Sequence, residues 1–401
     1  MGNILVVNCG SSSVKFQLIN EQTEEMLLKG IAEKLGLDDA HITIKSHDGD
    51  EIDEQLKATD THKDALSVLF KFLDDNQLLD TITAVGQRVV HGGEAFSESV
   101  LITDEVLETI KSLVPLAPLH NPANILGIEA ISEIDSDLPQ VAVFDTAFHS
   151  TMPPEAYRYS VPSKWYKDYG VRRYGFHGTS YKFIIEKVSK ILNKDSAKLN
   201  LIVAHIGSGA SISAIKDGKS IANTMGFTPL AGLPMGTRSG NIDPGIIPFI
   251  MEREGLTVDE VISKLNKESG HQATSSVSDD MRHINEAVEK GDKDAKLAFD
   301  IFVRKIAKYV AGFMPDLPSL DALIFTAGVG ENDFDARRAV VKRLEILGFK
   351  LDDELNDETI GWKGKEGLIS SADSKYPIYA LGTNEELMIA RDTVQIVSKT
   401  K

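Results

Sequence analysis

Thiol chemistry is almost absent from this 401-residue chain, whose single cysteine is Cys9. One cysteine cannot close an internal disulfide, which fits a reducing compartment. No His/Cys cluster has the spacing of a zinc site. No apolar run approaches the roughly 18 residues needed to cross a bilayer. The start of the chain lacks the basic region and long apolar stretch of a secretory signal, and Val6 stands where a myristoylation signal wants Ser or Thr. These absences predict a soluble cytoplasmic protein with no membrane partner. Basic residues are also in deficit, 43 against 60 acidic ones for a formal charge of −17. That balance argues against nucleic acid and anionic membrane surfaces. It does not exclude a small anion, which feels nearby arginines and backbone donors more than distant screened carboxylates.

What is present is a set of glycine turns between apolar runs. Ile4-Leu5-Val6-Val7-Asn8-Cys9-Gly10-Ser11-Ser12-Ser13-Val14-Lys15-Phe16-Gln17-Leu18-Ile19 reads as a strand, a tight turn and a returning strand. Gly10 lets a phosphate approach the backbone, Ser11 to Ser13 supply donors, and Lys15 can reach the same anion. This is not the nucleotide loop Gly-x-x-x-x-Gly-Lys-Ser/Thr, because no second glycine precedes Lys15. An ordinary Gly/Ser hairpin turn is the competing reading. The punctuation returns in Leu201-Ile202-Val203-Ala204-His205-Ile206-Gly207-Ser208-Gly209-Ala210-Ser211, followed by a turn at Asp217-Gly218. A third glycine turn, Ala327-Gly328-Val329-Gly330-Glu331-Asn332, follows another apolar strand. A strand-turn-strand in each half predicts a duplicated domain with a cleft between the copies.

The length suits two or three domains. Strands are expected at 26–31 and 41–44, beside the opening hairpin, with a polar turn at Asp48-Gly49-Asp50. Ala65, Val68, Leu69 and Phe72 recur at helical spacing, as do Val106, Ile110 and Leu113 after Thr103. Asn121-Pro122 predicts an N-cap and N1 proline, and 141–144 a short buried strand ending at Asp145. The second half repeats the pattern, with strands at 201–223 and helices at 243–265, 279–290 and 293–313. The Pro- and Tyr-rich stretch 149–174 marks the expected boundary. Thr383-Asn384-Glu385-Glu386 predicts a Thr-x-x-Glu capping box opening a terminal helix, with Leu387, Ala390, Val394 and Val397 on one face.

Polar groups collect in a few places. Arg88, in Arg88-Val89-Val90-His91-Gly92-Gly93, and Arg238, in Gly236-Thr237-Arg238-Ser239-Gly240, suit carboxylate or phosphate through their planar forks. A structural ion pair is the alternative for either. Asp145, at a strand end, is placed where ligands gather in α/β sheets. Asn8, Asp145 and Glu385 are of the right types to hold magnesium through waters. His177, in Tyr174-Gly175-Phe176-His177-Gly178-Thr179-Ser180, stands among small residues and an aromatic and could donate to a phosphoryl group, with a structural histidine as the alternative.

These motifs, with Phe144-Asp145-Thr146-Ala147-Phe148-His149, resemble in order those of the acetate kinase (acetokinase) family of the acetate and sugar kinase, heat-shock chaperone and actin superfamily. The resemblance implies an α/β protein of two duplicated ribonuclease-H-like domains (actin-like ATPase fold) with an interdomain active-site cleft. It implies an N-terminal domain of 1–148 plus 384–401 and a nucleotide-binding, dimerising domain of 149–383. The implied reaction is reversible transfer of the ATP γ-phosphoryl group to acetate, giving acetyl phosphate and ADP, in a homodimer. Asn8 and Glu385 would serve the Mg2+ site, with Mn2+ as a substitute, and Lys15 would contact ATP. Arg88 would bind substrate, with Val90, Leu119, Phe176 and Pro229 around the acetate methyl group. Asp145, His177 and Arg238 would be catalytic. The nucleotide would meet His205, Ile206, Gly207, Ser208 and Gly209, then Asp280, Met281 and Arg282, and finally Gly328, Val329, Gly330, Glu331 and Asn332. Two departures stand out: the family usually has Asn at Ser208 and Asp at Asn241. The alternatives are a propionate or butyrate kinase and, from another class, an actin- or chaperone-like ATPase.

Overall fold

The computed structural model describes residues 2–47 and 49–400. Asp48 of the expected polar turn lies outside the described residues. The chain divides into two compact units, Met1–Ser150 with Gly178–Lys182 and Asn384–Lys401, and Thr151–His177 with Phe183–Thr383.

The first unit holds strands β1 (Asn3–Gly10), β2 (Ser13–Asn20), β3 (Met26–Glu33), β4 (His41–Ser46), β5 (Glu51–Gln55), β6 (Ile82–Val89), β7 (Val100–Leu101) and β8 (Gln140–Phe144). Their order in the sheet is β5-β4-β3-β2-β1-β6-β8-β7. The second holds β9 (Leu201–Ile206), β10 (Ala210–Lys216), β11 (Lys219–Asn223), β12 (Ala322–Thr326), β13 (Gly367–Leu368) and β14 (Ile378–Ala380), ordered β11-β10-β9-β12-β14-β13. One five-strand pattern occurs in each unit. An antiparallel meander, β1-β2-β3 or β9-β10-β11, continues through its first strand into two parallel strands, β6-β8 or β12-β14. The recurrence agrees with the duplication expected from the glycine turns.

Period-two alternation sorts the first sheet's residues. Leu5, Val7 and Cys9 face a core formed with helices His62–Asp75 and Asn121–Ile134. Ile4 and Val6 face the other way, joining Ala84, Val141 and Val143 under Ile389 and Ala390 of helix Glu385–Thr400. The expected apolar face of that helix is therefore used, with Leu387, Val394 and Val397 packed against the same cluster.

Four sequence expectations need correction. Asn121 is not the N-cap of its helix; His120 occupies that place, and Asn121 is the fully buried first helical residue. The terminal helix starts at Glu385, so its capping residue is Asn384 rather than the predicted Thr383. Asn384 Oδ1 accepts from Leu387 N at 2.9 Å, while Thr383 N donates to Glu331 Oε1. The expected helix at 243–265 is two, Ile246–Glu254 and Val258–Lys267, because Gly255 turns left-handed at φ 68°. The third glycine turn is a short helix, Ala327–Asn332, whose first N–H is capped by Glu331 Oε1.

Candidate active site

In the first unit, strand parity places Asn8, Arg88 and Asp145 at the ends of the parallel strands, on the face covered by the terminal helix. Asn8 follows Ile4 and Val6, Arg88 follows Ala84, and Asp145 follows Val141 and Val143. Lys15 is the cross-strand neighbour of Asn8. Arg88 grips Asp145 with two bonds, Nε to Oδ1 at 3.0 Å and Nη2 to Oδ2 at 2.7 Å. Burial opposes the guanidinium's charge, but Asp145 and Glu385 hold its pKa above the usual value. Glu385, in the first turn of the terminal helix, is pushed up to about 7. Burial is the main cause; Asp145 and Glu386 add to it, against the pull of Arg88 and Lys15. Three carboxylates thus crowd two cations.

Backbone clamps shape the loops around this cluster. Asn124 Nδ2 donates to Cys9 O at 2.8 Å while its Oδ1 accepts from Val90 N. Asn121 accepts from His91 N and donates to His91 O, and Thr146 Oγ1 accepts from Gly92 N. His62 Nε2 donates to Gly10 O at 2.6 Å, behind the Ser11-Ser12 turn. The two asparagines were not singled out from the sequence, although their i, i+3 spacing in an otherwise apolar helix start was a usable signal. Val90 is buried, whereas Leu119 is exposed.

In the second unit, His177 sits at the start of a helix in a left-handed conformation, φ 61°, which costs energy for a residue with a Cβ. Its Nδ1 bonds Ser211 Oγ at 2.9 Å, and its ring stacks on His205 at 4.0 Å between centroids. Ser211 and His205 are cross-strand partners, so the β9-β10 ladder sets this geometry. A Cβ built on Gly209 would stand 3.3 Å from His177 Nε2 and 3.9 Å from Arg238 Nη1. Imidazole and guanidinium therefore converge on one glycine turn. Arg238 Nη1 donates to Pro229 O at 3.3 Å, and burial lowers its pKa; among the described residues no carboxylate forms an ion pair with it. Phe176 is buried nearby in sequence, its carbonyl accepting from Asn223.

The same unit contains a cavity of about 510 Å3 lined by Gly207, Ser208, Asp280, Met281, Arg282, Gly328, Val329 and Asn332. A Cβ on Gly207 would stand 3.9 Å from Gly328 N, so two of the glycine turns border one space. Asp280 caps helix Met281–Glu289 and pairs with Arg282. Glu331 is committed to the backbone N–H groups of Ala327 and Thr383, and burial raises its pKa. Gly330 O accepts from Arg337, a buried arginine that also bonds Asn356 and Thr359 O. His271, Asn285, Asp333 and Trp362 also line the cavity and were missed from sequence. Trp362 lies in a stretch without periodicity that offered no signal. Of the residues expected around the acetate methyl group, Val90 and Leu119 belong to the first unit and Phe176 and Pro229 to the second.

Known proteins are similar to this chain in sequence and fold. The model of the acetokinase family matches residues 3–391. The acetate kinase of Oceanobacillus iheyensis is 49% identical over 399 residues, 99% of each chain. Among solved structures, a propionate kinase from Francisella tularensis superposes with a TM-score of 0.94 at 46% identity, over 99% of this chain and 100% of that one. The acetate kinase of Porphyromonas gingivalis gives 0.92 at 42%, with the same coverage. The chain belongs to the acetokinase family, a family of kinase enzymes.

Proposed function

We propose that this protein transfers the γ-phosphoryl group of ATP reversibly to acetate, forming acetyl phosphate and ADP. The observation that carries the reading is the convergence of His177 Nε2 and Arg238 Nη1 on Gly209, beside a glycine-bordered cavity large enough for a nucleotide. A cation without a carboxylate partner among the described residues and an oriented imidazole suit the charge that spreads over the oxygens of a transferring phosphoryl group. The second-unit cavity would take ATP or ADP, and Arg88 with Val90 would receive the acid. Acetate is already a nucleophile when ionised, so Asp145 acts by orienting Arg88 rather than by removing a proton. Residues 149–383 would form the nucleotide-binding and dimerising part of a cytoplasmic homodimer, with no nucleic-acid or membrane partner.

The chemistry of the first-unit residues would suit a magnesium ion held largely through water, since among the described residues no three His, Cys, Asp or Glu side chains are grouped to hold a metal directly. Asp145, Glu385 and Glu386 crowd carboxylates together, and their mutual repulsion is what a divalent cation relieves. Asn8 and Glu385 would hold it, with water completing the shell. When bound, the ion would neutralise charge on the phosphates.

The propionate kinase likeness gives a second reading. One methylene changes discrimination by only about 1–3 kcal/mol, so propionate is expected to be a poorer substrate, not an excluded one. The test is acyl phosphate formation, trapped with hydroxylamine, from MgATP with acetate, propionate or butyrate. The highest kcat/KM with acetate supports the proposal; a maximum with propionate or butyrate moves the assignment to that acid.

A further inference from the structure

Trp362 is 63% exposed, yet it lines the same cavity as Gly207, Arg282 and Gly328. An indole left in water at a cavity wall keeps a large flat apolar surface available for a ligand. Its backbone is fixed. Trp362 N donates to Asn332 Oδ1 at 2.9 Å, while Asn332 Nδ2 donates to Gly328 O at 2.8 Å. One asparagine therefore ties the tryptophan turn to the glycine-bearing helix Ala327–Asn332. Gly361 makes this approach possible, since a Cβ there would stand 3.1 Å from Glu331 Oε2 and 3.2 Å from Asn332 Oδ1.

The cavity lining combines two kinds of chemistry. Gly207, Ser208 and Gly328 offer backbone and hydroxyl donors to phosphate. Asp279, Asp280, Asp333 and Asp335 would repel phosphate, and Trp362 and Arg282 add flat π-type surfaces. We infer that Trp362 stacks on the nucleobase of the bound nucleotide, an assignment that rests on the nucleotide reading of this cavity. Stacking needs only a π-face, so purine nucleotides other than ATP are accepted too.

The chain has only two tryptophans, which makes the test direct. In a Trp165→Phe background, Trp362 is the sole emitter, and its fluorescence is quenched in a saturable way by ATP, ADP and GTP. Trp362→Ala raises the KM for ATP by about tenfold with kcat unchanged, and Trp362→Phe recovers most of the loss. An unmoved KM in Trp362→Ala, or a fall in kcat alone, overturns the assignment, as does unmoved Trp362 emission at nucleotide concentrations that saturate turnover. Absence of turnover by the unaltered protein with every nucleotide would instead defeat the phosphotransfer reading itself.

Discussion

The guanidinium of Arg88 holds both carboxylate oxygens of Asp145, and the carboxylate is only 2% exposed. Removing one partner of such a pair leaves a buried charge without compensation, at a cost of about 3–5 kcal/mol. Arg88→Ala is therefore expected to lower the urea midpoint markedly as well as to impair acid binding. A stability equal to that of the unaltered protein would show that solvent reaches Asp145 freely.

Arg238 is the opposite case, a half-buried guanidinium without a carboxylate ion-pair partner among the described residues. Arg238→Ala removes an uncompensated charge, so folding survives while kcat falls by about 10²–10³. Steady-state kinetics together with a thermal melt separate the two effects. A near-normal kcat would remove Arg238 from the transition-state role.

Gly86 lies under the terminal helix, where a Cβ would come within 2.5 Å of Thr393 Oγ1 and 2.6 Å of Ile389 Cγ2. Gly86→Ala overpacks this contact and is expected to destabilise the protein by about 1–3 kcal/mol. Denaturant unfolding checks the prediction, and an unshifted midpoint would mean that the helix yields without cost.

These contrasts mark what the sequence could and could not reveal. The β1-β2 and β9-β10 hairpins and the terminal helix were legible because period-two and helical patterns bury whole faces at once. Residues Ala327–Asn332 were misread as a turn because their glycines argue against a helix. The helix persists through Glu331 and Asn332, whose side chains bond Ala327 N and Gly328 O. Sequence also could not say which arginine is paired. Arg88 and Arg238 sit in similar glycine-flanked motifs, and only the strand register that brings Asp145 beside Arg88 distinguishes them. Asn121 carried a capping signal that lost to a tertiary demand, the bonding of His91's backbone.

Burial holds His91 and His271 down at about 4. In the unfolded chain each takes up a proton near pH 6.5. Between those values the unfolded state binds more protons, so stability falls as pH drops from about 6.5 to 4; neither group changes it above that window. Urea midpoints at pH 7, 6 and 5 should decline, and His271→Asn should flatten part of the slope. Glu385, pushed up to about 7, works in the opposite direction over much of the same window, so the difference in slope between the unaltered protein and His271→Asn reports the imidazole; identical slopes would contradict the account.

Ser208 lines the second-unit cavity, at a position where the family resemblance led to an expectation of Asn. Ser208→Asn restores an amide with longer reach and is expected to lower the nucleotide KM with little change in kcat. An unchanged KM would show that the serine is of no consequence for nucleotide binding.

The most direct measurement is 31P NMR of the protein with MgATP and acetate at neutral pH. Direct phosphoryl transfer predicts an acyl phosphate resonance that grows one for one with ADP and grows about 10²–10³-fold more slowly in Arg238→Ala. ADP accompanied only by inorganic phosphate, with no acyl phosphate from any short acid, would contradict the account.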